Sequence, residues 1–530
     1  MLLPTIHMAR PGGLQAPSMY KFLRVCITAF VCALLVVNAC ESALKKPVAK
    51  RPVVAKRVPA KAVAKNPVVA KPVPAKPVAK KPVAAKPVPV KAPVAATGVL
   101  TVVAGEPFEP VPTNGPSKVA ITLCPEETAA ATFTVRSVKP LKSVRVVAGD
   151  FMGPGKISKA NVTVRMVSGQ DLLSCESIDI GSTPVQLWVN IAGPKDAKAG
   201  VYVGAVVFSA QGKVVDRVLL QAAVLPLRLI GSSKQYAIYT TLGPGAPGSS
   251  ELSGDAYSKF LASAVKLGFR AVSVNAEPSK VGEAFVACAS AGLLGTAPVL
   301  SFAWGSTVPS LDQLKALENL RKSSGLKSLY CFCASNPSSD AEVSAALEKA
   351  SLLHQARAQV AATVSDDAVT LKLMSALDGV NYKYDMPYVQ ALIAGGTNRT
   401  TKWEWYWWDA RQSVSENRVY SGIALWKSGL YGCMPLWTPK DDADKADSLD
   451  SLLCEAMREG INDTRYMTTY MKALRELKDK KRGPDKEYIA STEAYLAGFL
   501  SKPFNKLTAA DLRSFRAKVA EFSIKLAAML

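Results

Sequence analysis

The residues in this sequence best placed to do chemistry are carboxylates that follow short apolar runs. Glu277 sits in Asn275-Ala276-Glu277-Pro278, just after one such run. Asp366 and Asp367 follow a second, Asp385 a third, Asp409 a fourth, and Asp441 with Asp442 a fifth; Glu404 lies inside a run. A carboxylate at such a point can give or take a proton. It can also simply cap the next helix, as Asp366 and Asp367 would. Histidine adds little. The chain has only His7 and His354, and His7 falls in a segment expected to be missing from the mature protein, so one histidine remains and no multi-histidine metal centre can form. A Ser-His-Asp set would need His354, which falls inside a helix-period stretch. Cys331 and Cys333 stand two apart on a strand pattern, face one side, and read as packed thiols. Neither metal nor cofactor is expected.

Aromatic residues are the other concentration. Seven of the eight tryptophans lie beyond residue 300, and four of them fall in Trp403-Glu404-Trp405-Tyr406-Trp407-Trp408. Aromatic rings suit the C–H faces of sugars. Trp304, Tyr384, Trp405, Tyr406, Trp408 and Trp437 are the candidates for contact with such a ligand. Alternation along a strand must turn about half of these rings away into packing.

The elements that position these groups follow from hydrophobic period. From residue 232 the pattern runs strand, helix, strand, with strands expected at 235–241, 271–275, 297–302, 328–333, 359–364, 379–384, 402–407 and 432–437. The helix after Ser339 puts Val343, Ala346, Leu347, Ala350 and Leu353 on one face. Eight strands alternating with helices imply a (β/α)8 barrel over 232–480, with chemistry at the carboxyl ends of its strands. Gly243-Pro244-Gly245 is a turn rather than a dinucleotide fingerprint, which disfavours a doubly wound sheet.

Residues 98–231 alternate with period two, as in 131–136 and 161–166. Turn signals fall at Gly153-Pro154-Gly155, Ser168-Gly169 and Gly212. This predicts a β-sandwich. Cys124 and Cys175 share it and could pair in an oxidising compartment. Residues 481–530 read as C-terminal helices, with Leu512, Phe515, Val519, Phe522 and Leu526 at helical spacing.

The amino-terminal part reads as address and spacer. Residues 1–39 resemble a signal peptide, with Lys21 and Arg24 ahead of an apolar stretch over 25–37 and Met19 as the expected start. Val37-Asn38-Ala39-Cys40 fits either a lipoprotein box that lipidates Cys40 or plain cleavage after Ala39. Both routes lead out of the cytoplasm, to secretion or the cell envelope. Residues 40–97 form a disordered linker. Within 44–97 there are eleven prolines, fourteen Lys and Arg, and no acid. Such a chain extends, with a reach of roughly 170 Å as polyproline II. Its charge suits an anionic envelope surface. The formal charge of the whole chain is +23. Most of it is in this arm, so the folded part is not built for specific nucleic-acid binding.

One set of motifs resembles a known family. Trp188-Val189-Asn190-Ile191-Ala192-Gly193-Pro194 leads to a Gly200-x-Tyr202-x-Gly204 strand. Asn417-Arg418, Leu425-Trp426, Gly429, Gly432 and Leu436-Trp437 follow. Then come Arg458-Glu459-Gly460-Ile461-Asn462-Asp463 and Tyr466. Over roughly residues 180–475 this arrangement resembles glycoside hydrolase family 123 and its sandwich-plus-barrel relatives. The resemblance implies a barrel acting on 2-acetamido sugars. It also implies an Asp-Glu pair before a Pro at the end of strand four, where Glu protonates the leaving oxygen and Asp orients the substrate's acetamide. The matching positions here are Ser335 and Asn336, ahead of Pro337. Asn has no proton to give near neutral pH. The sequence therefore points to a degenerate glycosidase that binds 2-acetamido-sugar glycans. Alternatives are an active glycosidase whose acid has moved to Glu277, Asp385 or Glu404, and a purely structural envelope protein.

Overall fold

The computed structural model describes residues 98–530 apart from 111, 113, 247–250, 278, 294–298, 301–309, 327–328, 396–400, 412, 438–448 and 480–485. The signal-like segment, Cys40, the basic arm, Trp304, Asp441 and Asp442 lie outside the described residues. Among those described, no helix is long and apolar enough to cross a membrane.

The first part is two β-sheets around one core. Leu100–Gly105, Thr128–Ser137, Val185–Ala192, Val162–Ser168 and Asp171–Ser174 form one sheet in that order, all antiparallel. Val119–Leu123, Lys213–Val224, Gly200–Ala210, Leu141–Ala148 and Ile178–Ile180 form the other, with Phe151–Met152 and Lys156–Ile157 attached. Phe133, Val135, Leu187, Val189, Val206, Phe208 and Leu220 from both sheets share a buried core. The Gly-x-Tyr-x-Gly strand works by close approach. A Cβ at Gly204 would fall 2.4 Å from the Phe151 ring, and the buried Tyr202 hydroxyl donates to the Lys198 carbonyl at 2.9 Å.

The second part is a curled, wholly parallel sheet. Its strands are β1 Gln235–Thr240, β2 Ala271–Val272, β3 Val299–Leu300, β4 Tyr330–Ser335, β5 Gln359–Val364, β6 Gly379–Lys383, β7 Thr401–Trp407 and β8 Leu430–Cys433. They pair in the order β2-β1-β8-β7-β6-β5-β4-β3, and a short extension, Leu436–Trp437, pairs with β1. Among the described residues no ladder joins β2 to β3.

Helices cover the outside of this sheet. They include α1 Gly254–Leu267, α2 Val281–Ser290, α3 Leu311–Ser323, α4 Asp340–Gln355, α5 Asp367–Leu373 and α6 Pro387–Gly395. Capping follows sequence chemistry: Ser310 and Ser339 close capping boxes with Gln313 and Glu342, and Asp366 caps α5. On α4, Val343, Ala346, Ala350 and Leu353 are buried and Leu347 is partly so.

After the sheet come α7 Val414–Val419, a π turn at Tyr420–Ala424, α8 Leu425–Ser428, and three long helices: α9 Leu452–Asp479, α10 Lys486–Leu500 and α11 Ala509–Met529. Leu512, Phe515, Val519, Phe522 and Leu526 of α11 join the same core as the helix-facing side of the sheet. The seven described cysteines are all free and buried. Cys124 and Cys175 do not pair. Cys124 Sγ instead lies 3.2 Å from the Tyr466 hydroxyl of α9.

Candidate functional site

Residue parity sorts the sheet into two faces. Ala237, Ala271, Tyr330, Phe332, Ala361, Trp405 and Met434, with Tyr239 and Tyr431, form an inner cluster. Tyr236, Val272, Cys331, Cys333, Val360, Ala362, Val380, Tyr382, Tyr406 and Trp408 pack outward with the helices. Successive side chains alternate faces, so the inner face at the carboxyl ends can be read from the ladder. Ser335 pairs with Thr363, Thr363 with Asn381, Asn381 with Trp405, and one step on, Lys383 with Trp407. These six residues line the sheet's mouth.

The polar groups there are unevenly satisfied. Thr363 Oγ1 donates to Ser335 Oγ at 3.1 Å. Asn381 is 3% exposed; its Nδ2 meets only the Met434 sulfur at 3.7 Å, and its Oδ1 accepts no bond. Trp407 Nε1 is shut from solvent without an acceptor, and so is Asn336 Oδ1 without a donor. A buried polar atom left unpaired costs about 1–3 kcal/mol. Asn336 adds backbone strain, with φ at +49° in the left-handed region. Trp405 needs Gly432 beside it, since a Cβ there would fall 2.7 Å from its ring.

The residues singled out from sequence scatter across both faces. Ser335 and Asn336 end β4 as expected, with Ser335 exposed and Asn336 half-buried. Trp405 is on the inner face. Tyr384, Tyr406 and Trp408 face the helices: Tyr384 stacks on Tyr420 with ring centroids 3.6 Å apart, and Trp408 Nε1 donates to Asn417 at 2.7 Å. Burial pushes the Tyr384 and Tyr406 phenols up. Trp437 packs against that same outer core.

Of the carboxylates, Glu404 also faces outward, with Oε1 accepting from Tyr382 and Tyr388 at 3.3 Å each. Asp385 is exposed and paired to Lys383 at 2.9 Å. Glu277 is exposed in the loop after β2, beside the turn at Gly245. His354 meets Asp378 at 3.1 Å near the amino ends of β5 and β6, remote from the mouth. Among the described residues no Asp or Glu lies on the inner face of the strands, and no group of three potential metal ligands occurs. Thr363, Asn381, Lys383 and Trp407 are not among the sequence candidates, because a Thr, an Asn, a Lys and one Trp of a run carry no acid or isolated-ring signal. Period two along 359–364 and 379–384 was the available signal.

Several of the motif residues lie elsewhere, in a weld between the two-sheet part, α7, α9 and α11. Trp188 Nε1 donates to Asn190 Oδ1 at 3.0 Å, and Asn190 Nδ2 donates to Glu455 Oε1 at 2.7 Å. Arg458 grips Glu455 and the Thr128 carbonyl. Arg418 pairs with Asp463 at 3.0 Å; Arg516 reaches Asp463 at 2.7 Å and Glu459 at 2.5 Å. Burial works against the Glu459 carboxylate, but Arg516 and Arg458 overcome it and hold its pKa down. Gly460 lets α9 touch the π turn, since a Cβ there would sit 2.2 Å from Ser421 Oγ.

Comparison with solved structures agrees with this architecture. A family 123 glycoside hydrolase from Clostridium perfringens, studied for glycolipid glycan hydrolysis, superposes with a TM-score of 0.58 at 10% identity, over 81% of this chain and 100% of that one. At that identity the likeness establishes the fold and not the activity. A Bacteroides ovatus xyloglucanase (TM-score 0.28, 8% identity, 68% of this chain, 100% of that one) aligns too loosely to carry weight. So does a catalytic-lysine mutant of a Ruminococcus gnavus sialic acid aldolase (TM-score 0.29, 11% identity, 55% and 96%). No family model and no curated protein matches the sequence.

Proposed function

We propose that this protein is a glycosidase-like glycan binder that has lost hydrolysis. In this reading the parallel sheet is a (β/α)8 barrel and its mouth holds a 2-acetamido sugar. The observation that carries it is the inner face itself. At the carboxyl ends of β4 to β7 it presents Ser335, Thr363, Asn381, Lys383, Trp405 and Trp407; none of the described strand residues on this face is a carboxylate, and Asp385, just beyond β6, is exposed and held by Lys383 at 2.9 Å. Binding needs what that face has. An indole supplies a platform. Asn381 Oδ1 and Trp407 Nε1 are an unpaired acceptor and an unpaired donor that sugar hydroxyl or amide groups can complete. Hydrolysis needs a proton donor at the β4 end, and Asn336 is not one. The basic arm over 40–97 would tether this binder to an anionic envelope after secretion, with or without a lipid on Cys40.

Restoring the acids tests the reading. Ser335→Asp with Asn336→Glu should raise turnover of an aryl 2-acetamido glycoside from background by roughly 10²-fold or more, the usual reach of general acid catalysis. Turnover by the unaltered chain, abolished by Glu277→Gln, would refute it and support an acid relocated to the β2 loop.

A further inference from the structure

A cavity of about 570 Å³ lies at the opposite end of the parallel sheet, where β1 begins and the two-sheet part meets α1 and α9. Its charged lining is one-sided. Lys234, Lys266, Arg270, Arg458 and Arg465 face it, with Glu126 the one carboxylate among the lining residues. Glu126 is already engaged by Arg228 at 3.0 Å. Arg458 is committed to Glu455, and Arg465 is bonded to Asn462 Oδ1 at 3.1 Å and the Glu126 carbonyl at 3.3 Å.

Lys234 is the unusual member. It is only 8% exposed, and its Nζ donates to the Leu430 carbonyl at 2.6 Å. Among the described residues no carboxylate pairs with it. Burial pushes its pKa down to about 8. Buried charges are ordinarily paired. Lys266 and Arg270 are exposed on the rim. One feature opposes an anion: the carbonyl end of α1 borders the cleft. That end is largely covered by its own caps, from the Gly268 amide to Val265 O at 3.0 Å and from the Phe269 amide to Ala264 O at 3.1 Å.

We propose that this cleft binds a phosphate- or sulfate-bearing ligand of about sugar size, with the oxyanion held by Lys234, Lys266 and Arg270. The site is separate from the mouth and does not depend on the glycan reading. Size supports it, since ligand cavities commonly span roughly 300–1,000 Å³. The charge-assisted hydrogen bonds of three cations suit a compact oxyanion.

The test uses the full chain at constant ionic strength balanced with sodium chloride. Inorganic phosphate and inorganic sulfate are titrated by calorimetry, with the melting temperature followed in parallel. Glucose 6-phosphate and glucose 6-sulfate then distinguish the two sources of the oxyanion, and tighter binding of either supports the site. Lys266→Glu with Arg270→Glu should weaken binding roughly tenfold or more. Both side chains are exposed, so the ligand-free melting temperature should hold. Lys234→Met is the buried counterpart and should weaken binding as well. Equal stabilisation of the unaltered and doubly reversed chains, or no effect beyond chloride, overturns the proposal.

Discussion

The weld and the mouth are built from similar residue types to opposite ends. In the weld, Arg458, Arg418, Glu459, Asp463, Asn190 and Trp188 are buried and Arg516 partly so, and each has close partners, with Glu459 Oε1 and Glu127 Oε1 the two carboxylate oxygens that accept no hydrogen bond. In the mouth, Asn381, Trp407 and Asn336 each carry a buried polar atom with none. A satisfied polar network fixes how parts of a molecule meet. An unsatisfied one spends stability unless water or a ligand completes it. Of the residues that carry the resemblance to family 123, Trp188, Asn190, Arg418, Arg458, Glu459 and Asp463 belong to the weld, and others pack in the two-sheet part and around the parallel sheet. They therefore transmit a fold, and they are silent about the chemistry at β4.

That contrast can be broken most forcefully in the weld. Arg516→Leu leaves Asp463 and Glu459 short of a partner in the interior and should cost roughly 3–5 kcal/mol, read by denaturant unfolding. A change below about 1 kcal/mol would mean that the network is ornamental.

Alkaline titration comes next. A buried thiol whose folded pKa is raised contributes stability that is whole below its unfolded value and is lost as pH rises toward the folded one. Burial pushes Cys124 in the weld, and Cys288 and Cys331 in the helix-facing core, up to about 12 each. Each should remove about 1.4 kcal/mol per pH unit above pH 9. Lys234, pushed down to about 8, acts the other way between pH 8 and 10.5 but is a single group. The melting temperature should fall from pH 9 to 11, and a flat profile would show that the thiols are hydrated.

The mouth should answer with the opposite sign. Asn381→Leu removes an unpaired acceptor, so it should leave stability unchanged or raise it by about 1 kcal/mol while weakening glycan binding. Trp405→Ala is the gentler probe of affinity. It should cost roughly tenfold in binding to a 2-acetamido glycan, if ring stacking is the platform.

Legibility in the sequence follows the same divide. β5 matched the expected span, and β1 and β6 fell within a residue of it. Their helix-facing residues are apolar, as at Val360, Ala362, Val364, Val380 and Tyr382, and the strands are bounded by helix signals. β2 and β3 were expected over 271–275 and 297–302, but as ladders they span two residues each. They flank the seam at which, among the described residues, no ladder joins them.

Parity in the run 403–408 was not legible, because a one-residue choice turns every side chain over. With Trp405 inward, Glu404, Tyr406 and Trp408 all turn to the helices. The weld was invisible for a different reason. Its bonds join Asn190 to Glu455 and Glu127 to Tyr466, across separations of 265 and 339 residues. No local pattern announces such pairings.

The most direct measurement is a paired assay on the full chain: hydrolysis of aryl 2-acetamido glycosides, and retention of the matching glycans on an array. The account predicts no turnover together with binding that Trp405→Ala and Asn381→Leu weaken. Turnover that a single carboxylate replacement abolishes would contradict it.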